Sequence, residues 1–162
     1  MRRMKKTILA ALLVVGSAGT ASAGGQPGSI GVGGEIQLSG LRGLSMNYDT
    51  GVFHTGGFIG FQDEAGPDNA QFDIGGRFFY HIASTAMSDF SIGGGLGIRF
   101  AQVGADNSDT LLFLEPSFQI RTFLASNVAL SFTGGISIGA VDASEVRIDA
   151  DLLGTAGVHY YF

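Results

Sequence analysis

The chain has 162 residues, 45% of them hydrophobic, with 27 glycines, 3 prolines, no cysteine and a formal charge of −5. That size suits one domain, the lack of cysteine excludes disulfides and thiol chemistry, and the acidic balance excludes a phosphate-binding nucleic-acid surface. Thirteen Phe and four Tyr beside only 14% charged residues make a disordered chain implausible on composition.

The first element is a leader. MRRMKK is basic, TILAALLVV is an apolar run of nine residues, and GSAGTASA ends in Ala21-Ser22-Ala23. This is the order of a secretory signal peptide, and the run is far shorter than the ~20 residues of a spanning helix. Cleavage is expected after Ala23, dividing the chain into a signal peptide (1–23) and one domain (24–162). Residues 24–162 keep five arginines, no lysine and all fourteen acids, a formal charge of −9.

From residue 29 onward the hydrophobic period is two, the signature of strands with one apolar face. In SIGVGGEIQLS, Ile30, Val32, Ile36 and Leu38 alternate with Ser29, Glu35 and Gln37. Leu44, Met46 and Tyr48 alternate with Ser45, Asn47 and Asp49. Residues 52–62 are apolar on both faces, and Phe53, Ile59 and Phe61 are assigned to the apolar side. Phe72, Ile74, Phe78, Tyr80 and Ile82 then oppose Gln71, Asp73, Arg77, Phe79 and His81. Phe90, Ile92, Leu96, Ile98 and Phe100 oppose Asp89, Ser91 and Arg99. Leu112, Leu114, Phe118, Ile120 and Leu124 oppose Glu115, Ser117, Gln119 and Arg121. Val128, Leu130, Phe132, Ile136 and Ile138 oppose Ser131, Thr133 and Ser137. A final segment runs from Ile148 to Phe162. Connectors fall at 40–43, 49–51, 63–69, 83–88, 102–109, 125–127 and 142–147.

Eight such segments predict an all-β fold, an eight-stranded antiparallel up-and-down barrel with a narrow interior. The sidedness expected is that of a transmembrane barrel. The apolar face is large and aromatic, whereas the other carries Gly, Ser, Thr and a few charges, and no lysine is present to clothe a water-exposed surface. A soluble, lipocalin-like barrel is the competing architecture.

The chain ends GTAGVHYYF. Thr155, Gly157, Tyr160 and Phe162 occupy a pattern of a polar residue, a glycine and then aromatics at alternate positions, ending in Phe. The ending resembles the C-terminal assembly signal of bacterial outer-membrane barrels, and residues 24–162 as a whole are similar to the small barrels of the OmpA-transmembrane-domain and OmpX type. The resemblance implies a bacterial outer-membrane location. It also implies recognition by the barrel-assembly machinery, outer-membrane lipid and lipopolysaccharide as partners, and a monomer.

Reflection of the chain about the turn centred near 86 puts Asp73 opposite Arg99, and reflection about 105 puts Asp89 opposite Arg121. Arg77 faces Gly95, which faces Glu115, so Arg77 is expected to reach Glu115 across a bare glycine, with Glu35 as a further candidate partner. Charges enclosed in a narrow lumen are costly unless paired, so these pairs are expected to plug the barrel. A path for small or apolar solutes is the alternative.

A lipid-modifying enzyme is the third class considered. It needs a nucleophile beside a base; no Ser-x-x-x-Lys occurs, and the Gly-x-Ser-x-Gly match at Gly135, Ser137 and Gly139 lies within an alternating segment. His54, His81 and His159 are all assigned to the inner face as hydrogen-bonding residues. GGGLG lies within an alternating strand and opens no helix, unlike a phosphate loop. Asp106, Asn107 and Asp109 carry calcium-type oxygen donors without EF-hand spacing. No catalytic residue, cofactor or metal is expected, and the function anticipated is a structural or surface role.

Overall fold

The computed structural model describes residues 27–40, 42–63, 70–102, 108–141 and 145–162, without the side chains of 140–154. The leader over 1–23 with its cleavage after Ala23, and the loop residues Asp106 and Asn107, lie outside the described residues.

Eight strands follow in chain order: β1 (Ile30–Ile36), β2 (Arg42–Asp49), β3 (Phe53–Gln62), β4 (Gln71–Ser84), β5 (Ser88–Gln102), β6 (Ser108–Ala125), β7 (Val128–Val141) and β8 (Glu145–Tyr161). Each pairs antiparallel with the next, and β1 pairs with β8 to close the barrel. Closure leaves no free edge. The last residue takes part in it: Ile30 N donates to Phe162 O (3.1 Å), and Phe162 N donates to Ile30 O (3.0 Å).

The expected register holds across both reflected turns. Asp73 pairs with Arg99, Arg77 with Gly95, Gly95 with Glu115, and Asp89 with Arg121. The turn-side connections are tight, at 50–52, 85–87 and 126–127. The strands flanking the last two run closer to their turns than the alternation alone indicates.

The alternation sorts side chains inside out. Leu44, Phe61 and Leu96 are 62%, 67% and 54% exposed, whereas Asp49, Asp73 and His54 are wholly buried. Ile74 and Ile136 also face outward, while Arg77 and Glu115 are buried. In β3 the parity switches, with Ile59 and Phe61 outward and His54 and Phe58 inward. The odd-to-even pairings of β3 with both neighbours, Leu44 with Ile59 and Ile59 with Ile74, require that switch.

Two details depart from the sequence reading. Leu38 was expected on the apolar outer face, but β1 ends at Ile36 and Leu38 is buried. A turn over residues 37–40 (Gly40 N to Gln37 O, 2.9 Å; Gly40 φ +84°) takes Gln37 and Leu38 into the barrel. The lumen is also less uniformly small and polar than expected. Phe58 and Phe113 lie inside with ring centroids 6.1 Å apart. Each covers the glycine paired with it on the next strand: a Cβ on Gly75 would stand 2.4 Å from the Phe58 ring, and one on Gly97 2.4 Å from the Phe113 ring. Glycine there is a packing requirement, with an aromatic cross-strand neighbour filling the space a side chain would take.

Candidate functional site: the lumen

Inward-facing charged and polar residues form three tiers. Nearest the loops, the Arg99 guanidinium grips Asp73 along its Nε–Nη2 edge: Nε lies 3.0 and 3.1 Å from the two carboxylate oxygens, and Nη2 2.8 Å from Oδ2. The neighbouring-strand register places this pair, and two-point arginine–carboxylate contacts are the strong kind. Arg99 Nη2 also donates to Ser39 O (3.2 Å), and Ser39 N donates to Glu115 Oε1 (2.7 Å). The β1–β2 connection is thereby held to β5 and β6.

In the middle tier Arg77 bonds Glu35 through Nη1, and donates to Asn47 Oδ1 from Nε (3.2 Å) and Nη2 (2.8 Å). Gln37 Nε2 donates to the same Glu35 oxygen that Arg77 holds. The expected Arg77–Glu115 pair is therefore corrected. Glu115 does lie over Gly95, with Oε2 3.5 Å from where a Cβ would sit, but the Arg77 side chain turns to β1 and β2 instead. The reason is valence: Glu35 and Asn47 together take three of the guanidinium N–H groups, while Glu115 is already served by the Ser39 amide. Glu35, Gln37, Arg77, Glu115, Thr133 and Thr155 line a cavity of about 10 Å³, close to the volume of one water molecule.

At the turn side Arg121, 1% exposed, lies between two aspartates. Its Nη2 is 2.6 Å from Asp49 Oδ2 and 2.5 Å from Asp89 Oδ2, and its Nε donates to Asp89 at 3.1 Å. Nη1 donates to the Tyr161 hydroxyl (3.0 Å), and the guanidinium carbon lies 5.4 Å from the Phe123 ring centre. His81 Nε2 is 3.2 Å from Arg121 Nη2 and 2.9 Å from His54 Nδ1. The Asp73–Arg99 and Asp89–Arg121 contacts thus form as read from the register. Asp49, Tyr161, Asn47 and Ser39 were missed as partners, since each reaches its arginine or carboxylate from a strand or loop that is not a neighbour.

Among the described residues, the arrangement nearest to a nucleophile with its base is Ser45 Oγ, 2.6 Å from His159 Nε2. The nearest carboxylate oxygen, Glu35 Oε2, lies 3.5 Å from that same nitrogen, while Nδ1 makes no hydrogen bond. A relay instead needs the acid on the opposite ring nitrogen from the nucleophile. Both side chains are buried inside the barrel.

At the four positions expected to form an assembly signal, Thr155 and Gly157 face inward, and Tyr160 and Phe162 are 45% and 65% exposed. Tyr48 and Tyr80 join Tyr160 outside near the turn-side rim, while Phe61, Phe72 and Phe100 face outward toward the loops. From Phe72 to Tyr80 along β4 is about 26 Å at ~3.3 Å per residue. With strands tilted by ~40°, the apolar band is roughly 20 Å tall, near the ~25 Å of membrane barrels.

A closed eight-stranded antiparallel barrel with apolar side chains outside and ion pairs inside fits the class of membrane barrels. Comparison with protein-family models, curated proteins and solved structures finds no match to this chain.

Proposed function

We propose that the chain is an integral outer-membrane barrel protein of the OmpA-transmembrane-domain or OmpX kind, with a structural or surface role and a plugged lumen. The observation that carries this reading is the inversion of burial. Leucines, isoleucines and aromatic rings cover the outside, while Asp49, Asp73, Asp89, Arg77, Glu115 and Arg121 are buried. In water such an exterior would be an aggregating surface far beyond a few hundred Å² of patch; against hydrocarbon it is the stable face. The leader over 1–23 supports export and cleavage after Ala23, and the GTAGVHYYF ending supports handling by the barrel-assembly machinery. Lipid and lipopolysaccharide are the partners that such an exterior meets, and the closed seam leaves no edge to drive oligomerisation, which favours a monomer.

The plug is the three-tier ion-pair column together with the β1–β2 connection bound inside the loop-side mouth. It favours a structural role over a conduit for small or apolar solutes, because paired charges and the Phe58 and Phe113 rings occupy the lumen. The test is fractionation of the expressed protein with heat-modifiable gel migration, followed by planar-bilayer recording. The expected result is outer-membrane recovery, a faster-migrating unheated band and no steady single-channel steps. Soluble recovery would overturn the location, and steady conductance would replace the plug with a conduit. An altered lipid A or phospholipid profile in a deletion strain would point to the lipid-modifying enzyme instead.

A further inference from the structure

The geometry points to a site for one divalent transition-metal ion at the turn-side end of the lumen, held by Asp49, His54 and His81. One ligand atom from each of these three residues lies within 4.8 Å of the others. Two imidazoles and one carboxylate form a donor set suited to zinc, cobalt or nickel. His54 Nδ1 and His81 Nε2 face each other at 2.9 Å, and an ion about 2.1 Å from each nitrogen bridges that separation with little movement.

The strongest support is what orients the ligands. Metal-binding histidines donate their other ring N–H to a carbonyl or carboxylate, and ligating carboxylates are themselves hydrogen-bonded. His81 Nδ1 lies 3.1 Å from Gly51 O, so it donates there and turns the Nε2 lone pair inward. Gly51 N donates to Asp49 Oδ1 at 2.8 Å. One turn residue, at a φ of +84° that favours glycine, therefore aims two of the three ligands. His81 is half-buried at the rim and opens the way in, whereas Asp49 and His54 are fully enclosed.

Arg121 is the internal competitor. Its Nη2 lies 2.6 Å from Asp49 Oδ2 and 3.2 Å from His81 Nε2. Asp89 holds the same guanidinium through Nε at 3.1 Å, so the arginine keeps a carboxylate partner when a metal takes Asp49. The site stands on the positions of these side chains and is independent of where the barrel resides in the cell.

The test is calorimetric titration of the full-length, detergent-folded protein with zinc, with cobalt absorption spectra as a second readout. The expected result is one zinc per chain, a cobalt ligand-field spectrum, and affinity lowered at least about tenfold in His81→Ala. Asp49→Asn, which keeps the side-chain shape, is the second variant in case the first does not fold; gel migration checks both. No zinc bound by the wild type at millimolar concentration overturns the site, as does zinc bound equally well by a folded variant.

Discussion

The two ends of the lumen are closed by different means. At the turn side one arginine, 1% exposed, lies between two aspartates on strands that are not neighbours, under a ceiling of Phe123 and Tyr161. At the loop side Arg99 is more open, with 17% of its side chain exposed, and the seal comes from a connection folded back into the barrel. The first end depends on ion pairs among buried side chains, where an unpaired charge is costly. The second depends on the Arg99–Asp73 pair and on hydrogen bonds from Arg99 and to Glu115 at the Ser39 backbone.

This contrast orders the expected effects of substitution. Arg121→Gln strands Asp49 and Asp89 beside each other, and removal of one partner from a buried ion pair costs about 3–5 kcal/mol. Urea unfolding in lipid vesicles should show it as the largest loss of the series. Leu96→Arg puts a charge at the middle of the outward band and should cost about 2–4 kcal/mol in the same assay, because Leu96 is 54% exposed to the surroundings that the band faces. Gly97→Ala drives a methyl to 2.4 Å from the Phe113 ring, an overpacking of about 1–3 kcal/mol. Phe113→Leu in the same chain should recover part of that loss, and simple additivity of the two would break the packing account. Glu115→Gln should be the mildest, within about 1 kcal/mol. The amide oxygen still accepts from Ser39 N, and among the described residues no arginine pairs with this carboxylate. A Glu115→Gln loss equal to that of Arg121→Gln would erase the distinction between the ends.

Much of the barrel was legible in the sequence because its rules are local. Alternation gave the strands' faces, and two connector centres gave the registers of β4 with β5 and β5 with β6, which was enough to place Asp73 against Arg99 and Asp89 against Arg121. Contacts across the lumen obey no such rule. Arg77 to Asn47, Asp49 to Arg121 and Ser39 to Glu115 span strands or loops whose relative heights follow from closure of the whole sheet, whereas Glu35 was named as a candidate partner and does pair with Arg77. Leu38 was misread for a related reason: alternation continues through it in the sequence, yet the turn at Gly40 had already taken the chain out of the strand. The cluster of Asp49, His54 and His81 lies on three consecutive strands, with Asp49 paired to His54, so the local rule covers it; it was missed because no register was drawn from the connectors at 49–51 and 63–69.

Sidedness is the claim on which the rest depends, and the chain's lack of tryptophan allows a direct measurement. Single tryptophans placed by Leu96→Trp and Phe79→Trp, in protein folded into vesicles, can be read by quenching with brominated lipid chains. Leu96 faces outward and Phe79 is 2% exposed inside the barrel. Strong quenching at position 96 with little at position 79 is the expected result. Equal quenching, or the reverse order, would contradict a barrel that turns its apolar face to hydrocarbon and its charges to the lumen.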